Sequence, residues 1–160
     1  STSEPITEIR GINRLFIKKA ITSNGEPLTI DVNQIITKVA MITTYLSTPK
    51  APVGVEGKSP GDIRIRAKSA QGVLYIFSKG GNGGDGEKGK DGARGGNSAR
   101  VLVEIEDPTN VRIRPWALPG HGGLAGGPYA STGPKGNEEA VCLRLGTAVF
   151  GDCIAFPGKR

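Results

Sequence analysis

Aromatic residues are scarce in this chain of 160 residues, where three Tyr, four Phe and one Trp make up 5% of the sequence. Apolar residues together reach only 36%, below the usual share of a globular domain. No apolar run approaches the roughly 20 residues of a membrane-spanning helix. We therefore expect one domain with a thin core of Val, Ile and Leu, and no transmembrane segment.

Cysteine and histidine are too few for several kinds of site. Cys142 and Cys153 are the two cysteines, and His121 is the single histidine. Two cysteines exclude a disulfide scaffold and a zinc site, and they leave two alternatives: one bridge between neighbouring strands, or two free buried thiols. The carboxylates are scattered beside Lys or Arg, so no acid–base pair stands out. We expect no enzyme, no metal and no cofactor.

Acidic residues are outnumbered, with 15 Asp and Glu against 21 Lys and Arg, which gives a net charge of +6. Along the sequence the basic residues are spread out and often adjoin acidic ones, so we interpret the excess as a soluble surface. Nucleic-acid binding would need basic grooves interleaved with aromatic residues. We therefore predict no nucleic-acid partner and interpret Trp116 as a core or hinge residue.

Glycine, by contrast, is abundant and periodic, with 25 residues. It occupies every third position from Gly80 to Gly95 in GGNGGDGEKGKDGARGGN, and triplets return in GHGGLAGGP from Gly120 and in GPKGNE from Gly133. A period of three is that of a polyproline-II-type helix, which has no internal hydrogen bonds. A flexible tether, a collagen-like trimer and glycine helices packed within one chain are the competing states.

The packed helices are favoured for two reasons. The first glycine segment contains no proline, which disfavours collagen, and it must return to a neighbouring strand, which predicts a path out and back. Its third column, formed by Asn82, Asp85, Lys88, Asp91, Arg94 and Asn97, is mostly charged and is expected to lie in solvent. In the second segment the four residues YAST, 129–132, interrupt the period and predict a tip.

Alternating apolar and polar residues predict strands around the glycine segments. In DIRIRA from Asp62, and likewise in NVRIRP from Asn110, the apolar residues face inward and the arginines outward. In VLVEI and VCLRL, Glu104 and Arg144 would pair if these strands are neighbours. Asn24-Gly25 predicts a tight hairpin. Segment 32–46 fits a helix or a strand, its β-branched residues favour a strand, and residues 49–62 are predicted to form a loop.

Together these patterns predict a mostly β fold. Its body is a small set of stacked strands, a sandwich or a short solenoid, with two glycine-rich arms packed as polyglycine-II helices. The single domain, 1–160, comprises an N-terminal β region, 1–57, and β-strand pairs with glycine arms, 62–160. The arms lie at 80–97 and 118–138.

The glycine pattern resembles the polyglycine-II bundles of T-even-type phage tail-fibre adhesins and of the snow-flea antifreeze protein. In the adhesins, recognition lies in loops that join glycine helices, so the resemblance implicates the tip at Tyr129 with neighbouring His121 and Leu124. Trp116 is added as a candidate because aromatic faces suit sugar rings.

We therefore expect a non-enzymatic binding or adhesion module, extracellular or on a virion or cell surface, that recognises carbohydrate or a cell-surface component. The alternative is a structural or interaction domain of a larger fibre, toxin or assembly, with other subunits as partners. An ice-binding protein and a small enzyme are weaker alternatives, because the charged column of the first arm and the single histidine speak against them.

Overall fold

A computed structural model describes residues 6–156, and over that range it contains eight strands and no helix, hence none that could cross a membrane. The strands are β1 (Glu8–Arg10), β2 (Arg14–Phe16), β3 (Ala20–Thr22), β4 (Leu28–Thr43), β5 (Ile63–Lys79), β6 (Val101–Leu118), β7 (Val141–Leu145) and β8 (Ala148–Gly151). They form one mixed sheet in the order β1-β4-β5-β6-β7-β8, with β2 and β3 also paired to β4. The prediction of a mostly β fold is confirmed. In segment 32–46 the residues as far as Thr43 belong to strand β4, so a strand and not a helix forms there.

The long strands β4, β5 and β6 lie parallel and side by side over nearly their whole length. The first half of β6 pairs with β7, also in parallel, and β8 closes this side of the sheet as an antiparallel partner of β7. On the other side of β4, the three short strands β1, β2 and β3 follow one another in parallel pairing. They act as one interrupted edge strand.

The long strands are bent back on themselves. Ser78, near the end of β5, donates a hydrogen bond from its Oγ to the carbonyl of Ala99, while Ile63 at the start of β5 donates from its N–H to the carbonyl of Arg100. Two adjacent residues therefore contact both ends of a strand of 17 residues. Fully extended, that strand would span roughly 55 Å at about 3.3 Å per residue, so β5 must fold over.

The bends coincide with irregularities of pairing. The register shifts between Ile36 and Val39 of β4 and between Ser69 and Gln71 of β5. Gly72 then adopts a φ of 106°, in the left-handed region, and a Cβ placed on it would lie 2.0 Å from the carbonyl oxygen of Thr37. Only glycine fits there, because both the backbone angle and the close approach exclude a side chain.

Alternation along the strands builds the core. Ile63 and Ile65 are fully buried while Arg64 between them is exposed, as predicted from DIRIRA. Ile113 is likewise buried between the exposed Arg112 and Arg114. Branched aliphatic side chains from β4, β5 and β6 form this core, and they include Leu28, Ile30, Ile35, Ile42, Leu74, Ile76, Val101, Val103 and Ile105.

The hairpin predicted at Asn24-Gly25 is wrong in one respect. Both residues have positive φ, 49° and 86°, and Glu26 donates its backbone N–H to Ser23, so the tight turn is present. The strands that flank it are not antiparallel partners, because β3 pairs in parallel with Met41 to Thr43 at the far end of β4. The bend of β4 brings that far end beside the turn and supplies the partner for β3.

Candidate functional site

Backbone hydrogen bonds join the two predicted glycine arms at every third residue. In one direction the N–H groups of Gly80, Gly83 and Gly86 donate to the carbonyls of Leu118, His121 and Leu124, at 2.8 to 2.9 Å. After a turn, the N–H groups of Gly92, Gly95 and Ser98 donate to Ser131, Pro134 and Asn137, at 2.9 to 3.1 Å. The two segments therefore follow the same path side by side, as their flanking strands do.

The first glycine segment runs out and back. Lys90 donates its N–H to the carbonyl of Glu87, and Gly89 between them has a φ of 78°, which closes a tight turn. Beyond the turn, Ala93 donates to Gly84 and Gly96 donates to Gly81, so the returning part pairs with the outgoing part in the opposite direction.

A third segment, residues 49–58, joins the same network. Ala51 and Gly54 donate their N–H groups to the carbonyls of Asn82 and Asp85, while Gly81 donates back to Lys58. As predicted, this segment contains no helix or strand, only an isolated bridge at Lys50, but its hydrogen bonds to the glycine-rich segment were not predicted. The sequence gives only a short signal for this contact, because Ala51, Gly54 and Gly57 are spaced by three residues but the spacing does not continue beyond them.

Four polar side chains of the third column also hold the segments together. Oδ1 of Asn82, Asp85, Asp91 and Asn97 accepts the backbone N–H of His121, Leu124, Ser131 and Asn137 respectively, at 2.8 to 2.9 Å. Asp91 is exposed as expected, whereas Asn82, Asp85 and Asn97 are half-buried, so the expectation that this column lies in solvent is wrong at those three positions. The signal was present in the sequence, since Asn or Asp recurs there while the cations of the column, Lys88 and Arg94, make none of these contacts.

The four predicted binding residues do not form one cluster. Tyr129 is fully exposed at the turn where Ala130 donates its N–H to Gly127, and Leu124 is exposed on the way to it. His121 is exposed too, but the six residues from it to Gly127 span roughly 19 Å at about 3.1 Å per residue. Trp116 belongs to β6 of the sheet. The tip and Trp116 are thus two separate surfaces.

Trp116 lies on an exposed aromatic surface that sequence reasoning missed. Its side chain is 53% exposed, so its assignment to the core is wrong. It follows Arg112 and Arg114 at every second residue of β6 and shares their outer side, whereas Ile113 faces the core. In the adjacent strand its register partner is Phe77.

We call this surface the aromatic face and define it by Val39, Met41, Tyr75, Phe77 and Trp116. Tyr75 and Phe77 have nearly parallel rings, inclined by 9° with centroids 6.3 Å apart. Met41 of β4 pairs with Tyr75, and Val39, which is 55% exposed, continues the same row of alternating residues. The face is a patch of three rings and two aliphatic side chains that extends over three strands.

Cations surround the aromatic face. Lys79 Nζ lies 5.7 Å from the centroid of the Phe77 ring, and Lys19 lines the shallow depression formed by Val39, Met41, Tyr75 and Phe77. Arg112 and Arg114 are the register partners of Val73 and Tyr75. Within residues 6–156, none of the four side chains Lys19, Lys79, Arg112 and Arg114 forms an ion pair.

Acidic residues are missing from the chain segments that build this face. Positions 9–25, 32–55, 63–84 and 108–137 contain no Asp or Glu, and they include β2, β3 and the later halves of β4, β5 and β6. Glu138 borders the region, beside Lys79 and Leu118. The interpretation of evenly mixed charge is therefore wrong for this face, because the bends of the strands separate charges that are interspersed along the sequence.

The earlier halves of the strands present the opposite picture. Across five strands the register places Arg10, Asp31, Arg66, Glu104 and Arg144 in one row of alternating sign. The predicted neighbours Glu104 and Arg144 form an ion pair with 3.4 Å between Oε2 and Nη1, and Arg10 reaches Asp31 at 3.5 Å. This row is largely neutralised within the chain.

The C-terminal end of the described chain covers part of that row. Cys142 and Cys153 form a disulfide, which leaves neither cysteine free. Phe156 is buried against Leu102 and Cys142, and the guanidinium groups of Arg64 and Arg100 lie 5.3 and 5.5 Å from its ring centroid. This side of the sheet is therefore both charge-paired and covered, whereas the aromatic face is neither.

Comparisons with protein families, curated proteins and solved structures find no match to this chain. In the part of the chain that the structure describes, no group of three or more His, Cys, Asp or Glu side chains is placed to hold a metal ion. The aromatic face and the tip are therefore the two exposed surfaces that bear on function.

Proposed function

We propose that this protein is a non-enzymatic binding module of an extracellular, virion or cell surface, and that its aromatic face binds carbohydrate. The observation that carries the proposal is the pair Phe77 and Trp116, side by side on adjacent strands, which form one patch with Tyr75 in which Trp116 and Tyr75 are exposed and Phe77 is half-buried. Exposed aromatic clusters of this kind mark interaction sites, because leaving several rings in water without a ligand has no benefit for folding.

The geometry of the patch suits a ribbon of sugar rings. Adjacent strands lie about 4.8 Å apart, so the rings of Phe77 and Trp116 recur across the sheet at roughly the length of one pyranose unit. The apolar C–H face of a sugar packs against an aromatic face, while its hydroxyls stay in water or bond to polar side chains at the rim. A polysaccharide lying across the strands would then contact one ring after another.

The rest of the chain is interpreted as a support for this face. In this proposal each bent strand is one coil of a short solenoid, and the glycine-rich segments form a bundle of polyglycine-II helices continuous with the coils. The hydrogen bonds at every third residue and the close contacts between backbones support it. Ordering glycine costs more backbone entropy than ordering any other residue, which favours a function that needs a rigid frame.

The second candidate function is an interaction domain of a larger assembly, with the tip as the contact. Tyr129 and Leu124 are strongly exposed there, and an apolar tip favours a protein partner. Lengthwise stacking of copies through the sheet edges is disfavoured. One edge is broken into three short strands. On the other side β7 and β8 cover only the start of β6, and the later half of β6, whose strand partner in the described chain is β5 alone, carries Pro115 beside Arg112 and Arg114; proline and charge blunt such an edge.

A binding assay with two matched variants tests the proposal. The wild-type chain is screened on a glycan array, and hits are quantified by calorimetry with Trp116→Ala and Tyr129→Ala. Both substitutions remove an exposed ring, so neither should unfold the protein. We expect Trp116→Ala to weaken binding by roughly tenfold or more and Tyr129→Ala to leave it unchanged.

Two outcomes would refute the assignment of the face. The first is no glycan binding by the wild-type chain. The second is that Tyr129→Ala loses binding while Trp116→Ala binds as the wild type does. That result would place the site at the tip.

A further inference from the structure

We infer that the carbohydrate of the aromatic face is an acidic polysaccharide, whose carboxylate or sulfate groups bind Arg112, Arg114, Lys19 and Lys79. This inference rests on the proposed function and narrows it to one chemical class. The inference is based on the positive charge around the aromatic face, which is a separate observation from the exposed rings that support carbohydrate binding.

The cations beside the face are not neutralised within the described chain. The Lys and Arg side chains that form ion pairs are Arg10, Lys50, Arg64, Arg100 and Arg144, and none of them belongs to the face. The ranges that build the face carry no acidic residue. A ligand that enters this surface therefore meets a positive potential, with Glu138 beside Lys79 as a carboxylate at its border.

Arg112 and Arg114 make the argument more specific. They occupy alternate positions of β6 and project from the same side of the sheet, so two like charges lie roughly 7 Å apart along the strand. The two charges repel each other, and their register partners in β5, Val73 and Tyr75, supply no carboxylate to offset the repulsion. The guanidinium group presents paired donors that match the oxygens of a carboxylate or sulfate, which the ammonium of lysine does not do.

The charge-paired row on the earlier half of the sheet serves as an internal contrast. There the same strands place an acidic residue beside each basic one, as Glu104 lies between Arg66 and Arg144. In that row Arg10 and Arg144 form ion pairs and Arg66 has Asp31 and Glu104 as register partners, whereas the register partners of Arg112 and Arg114 in β5 are Val73 and Tyr75. Charge complementarity therefore selects an anion as the occupant of the aromatic face.

Single-stranded nucleic acid is a different anion with planar groups, and the geometry favours it less. Proteins that bind it combine a basic groove that follows the backbone with aromatic platforms for successive bases. Here Phe77 and Trp116 adjoin across a sheet surface, and the depression beside them is shallow and almost entirely apolar, lined by Val39, Met41, Tyr75 and Phe77. A ribbon of sugar rings lies on such a surface without needing a groove.

The test compares two forms of one polymer. Binding of the full chain to polygalacturonate, and to the same polymer with its carboxylates methyl-esterified, is measured by calorimetry between low and physiological salt, with oligo-dT as the nucleic-acid probe. The variants are Arg112→Gln with Arg114→Gln, and, as a control with the same loss of charge, Lys88→Gln with Lys90→Gln at the exposed turn of the first glycine segment.

We expect the acidic polymer to bind at least roughly tenfold more tightly than its ester, with an affinity that falls as salt rises. The double arginine variant should lose most of this preference. The slope of its log affinity against log salt concentration should fall by about two, since two fewer counterions are released. The double lysine variant should behave as the wild type does, because its charges lie away from the rings.

The remaining outcomes separate this inference from the proposed function. Equal binding of both polymers, unaffected by the arginine substitutions but abolished by Trp116→Ala, would overturn the acidic ligand and leave carbohydrate binding in place. No binding of either polymer, together with a blank glycan array, would overturn both. Tighter binding of oligo-dT than of polygalacturonate, dependent on Trp116, would identify the face as a nucleic-acid surface.

Discussion

Asp85 and Leu124 are 39 residues apart in sequence, and Oδ1 of Asp85 accepts the backbone N–H of Leu124 at 2.9 Å. The same oxygen lies 2.7 Å from Nζ of Lys50. One carboxylate thus connects three segments of the glycine-rich network. The hydrogen bond from Lys50, followed by the one from Leu124, holds the pKa of Asp85 below its ordinary value.

A lowered pKa makes Asp85 a source of acid sensitivity. Because the folded state favours the charged carboxylate, its contribution to stability is complete above the unfolded pKa of about 4 and is lost as pH falls through the lower folded pKa. Asp107, whose pKa is lowered by hydrogen bonds from Thr109, acts in the same direction.

The variant Asp85→Asn keeps an oxygen acceptor for Leu124, as Asn82 and Asn97 do for their own partners, but it cannot titrate. We expect it to be slightly less stable than the wild type at pH 7 and to lose less stability between pH 5 and pH 2, by urea unfolding across that range. Asp85→Ala is the comparison, because it removes the acceptor and should be less stable at every pH. An acid profile of Asp85→Asn identical to that of the wild type would contradict this account.

Much of the sheet could be predicted from local sequence. Alternation with a period of two is a property of neighbouring residues, so the burial of Ile63 and Ile65 and the pairing of Glu104 with Arg144 were accessible without a structure. The parallel pairing was not, because the Asn24-Gly25 turn is local chemistry that is compatible with either partner. The far end of β4 became that partner through a bend some 15 residues away.

The candidate site was harder to predict for the same physical reason. Trp116 and Phe77 are 39 residues apart, and only their shared register makes them neighbours. The segregation of charge also depends on the bends, since Asp31 and Lys38 are close in sequence but belong to different halves of β4. The glycine period was visible, yet its contacts with residues 49–58 mark few positions of that segment, such as Gly57, where a Cβ would lie 2.1 Å from the carbonyl oxygen of Gly81.

The glycine-rich network should be sensitive to a single methyl group where backbones touch. A Cβ on Gly123 would lie 1.8 Å from the carbonyl oxygen of Gly84, whereas a Cβ on Gly127 would meet nothing closer than 3.7 Å. We expect Gly123→Ala to destabilise the protein by about 1–3 kcal/mol or more, and Gly127→Ala to change stability by less than about 0.5 kcal/mol.

Amide hydrogen exchange of residues 80–97 is the measurement that matters here, beside thermal unfolding. Protection of Gly83, Gly86 and Gly92 should fall in Gly123→Ala and persist in Gly127→Ala, because their N–H groups donate to the second segment. If the amides of residues 80–97 in the wild-type protein exchange as fast as those of an unstructured peptide, the glycine-rich segments are not rigid. The proposed function would then lose its supporting frame.

The ion pair of Glu104 and Arg144 offers a graded test of the charge-paired row. Glu104→Gln should cost less than about 1 kcal/mol, since the pair is partly exposed and its atoms are 3.4 Å apart. Arg144→Gln should cost more, about 1–2 kcal/mol, because Nη2 of Arg144 also donates to the carbonyl of Phe156. A double-mutant cycle by urea unfolding separates the two contributions, and equal costs for the two single variants would contradict the second contact.

The disulfide between Cys142 and Cys153 should stabilise the C-terminal cover of the sheet more than the sheet itself. It closes a short loop, since the two cysteines are separated by 11 residues, and a loop of that size contributes roughly 2–3 kcal/mol by limiting the unfolded chain. Reduction should lower the unfolding midpoint and expose Phe156, while the aromatic face, on the later halves of the strands, should bind its ligand unchanged.

Unfolding with and without reductant, followed by hydrogen exchange at residues 152–156, measures both effects. The double variant Cys142→Ser with Cys153→Ser is the control, because its midpoint should already be low and should not respond to reductant. A wild-type midpoint that reductant leaves unaltered would contradict the stabilising role of the disulfide, and a loss of glycan binding upon reduction would show that the binding face depends on the cover.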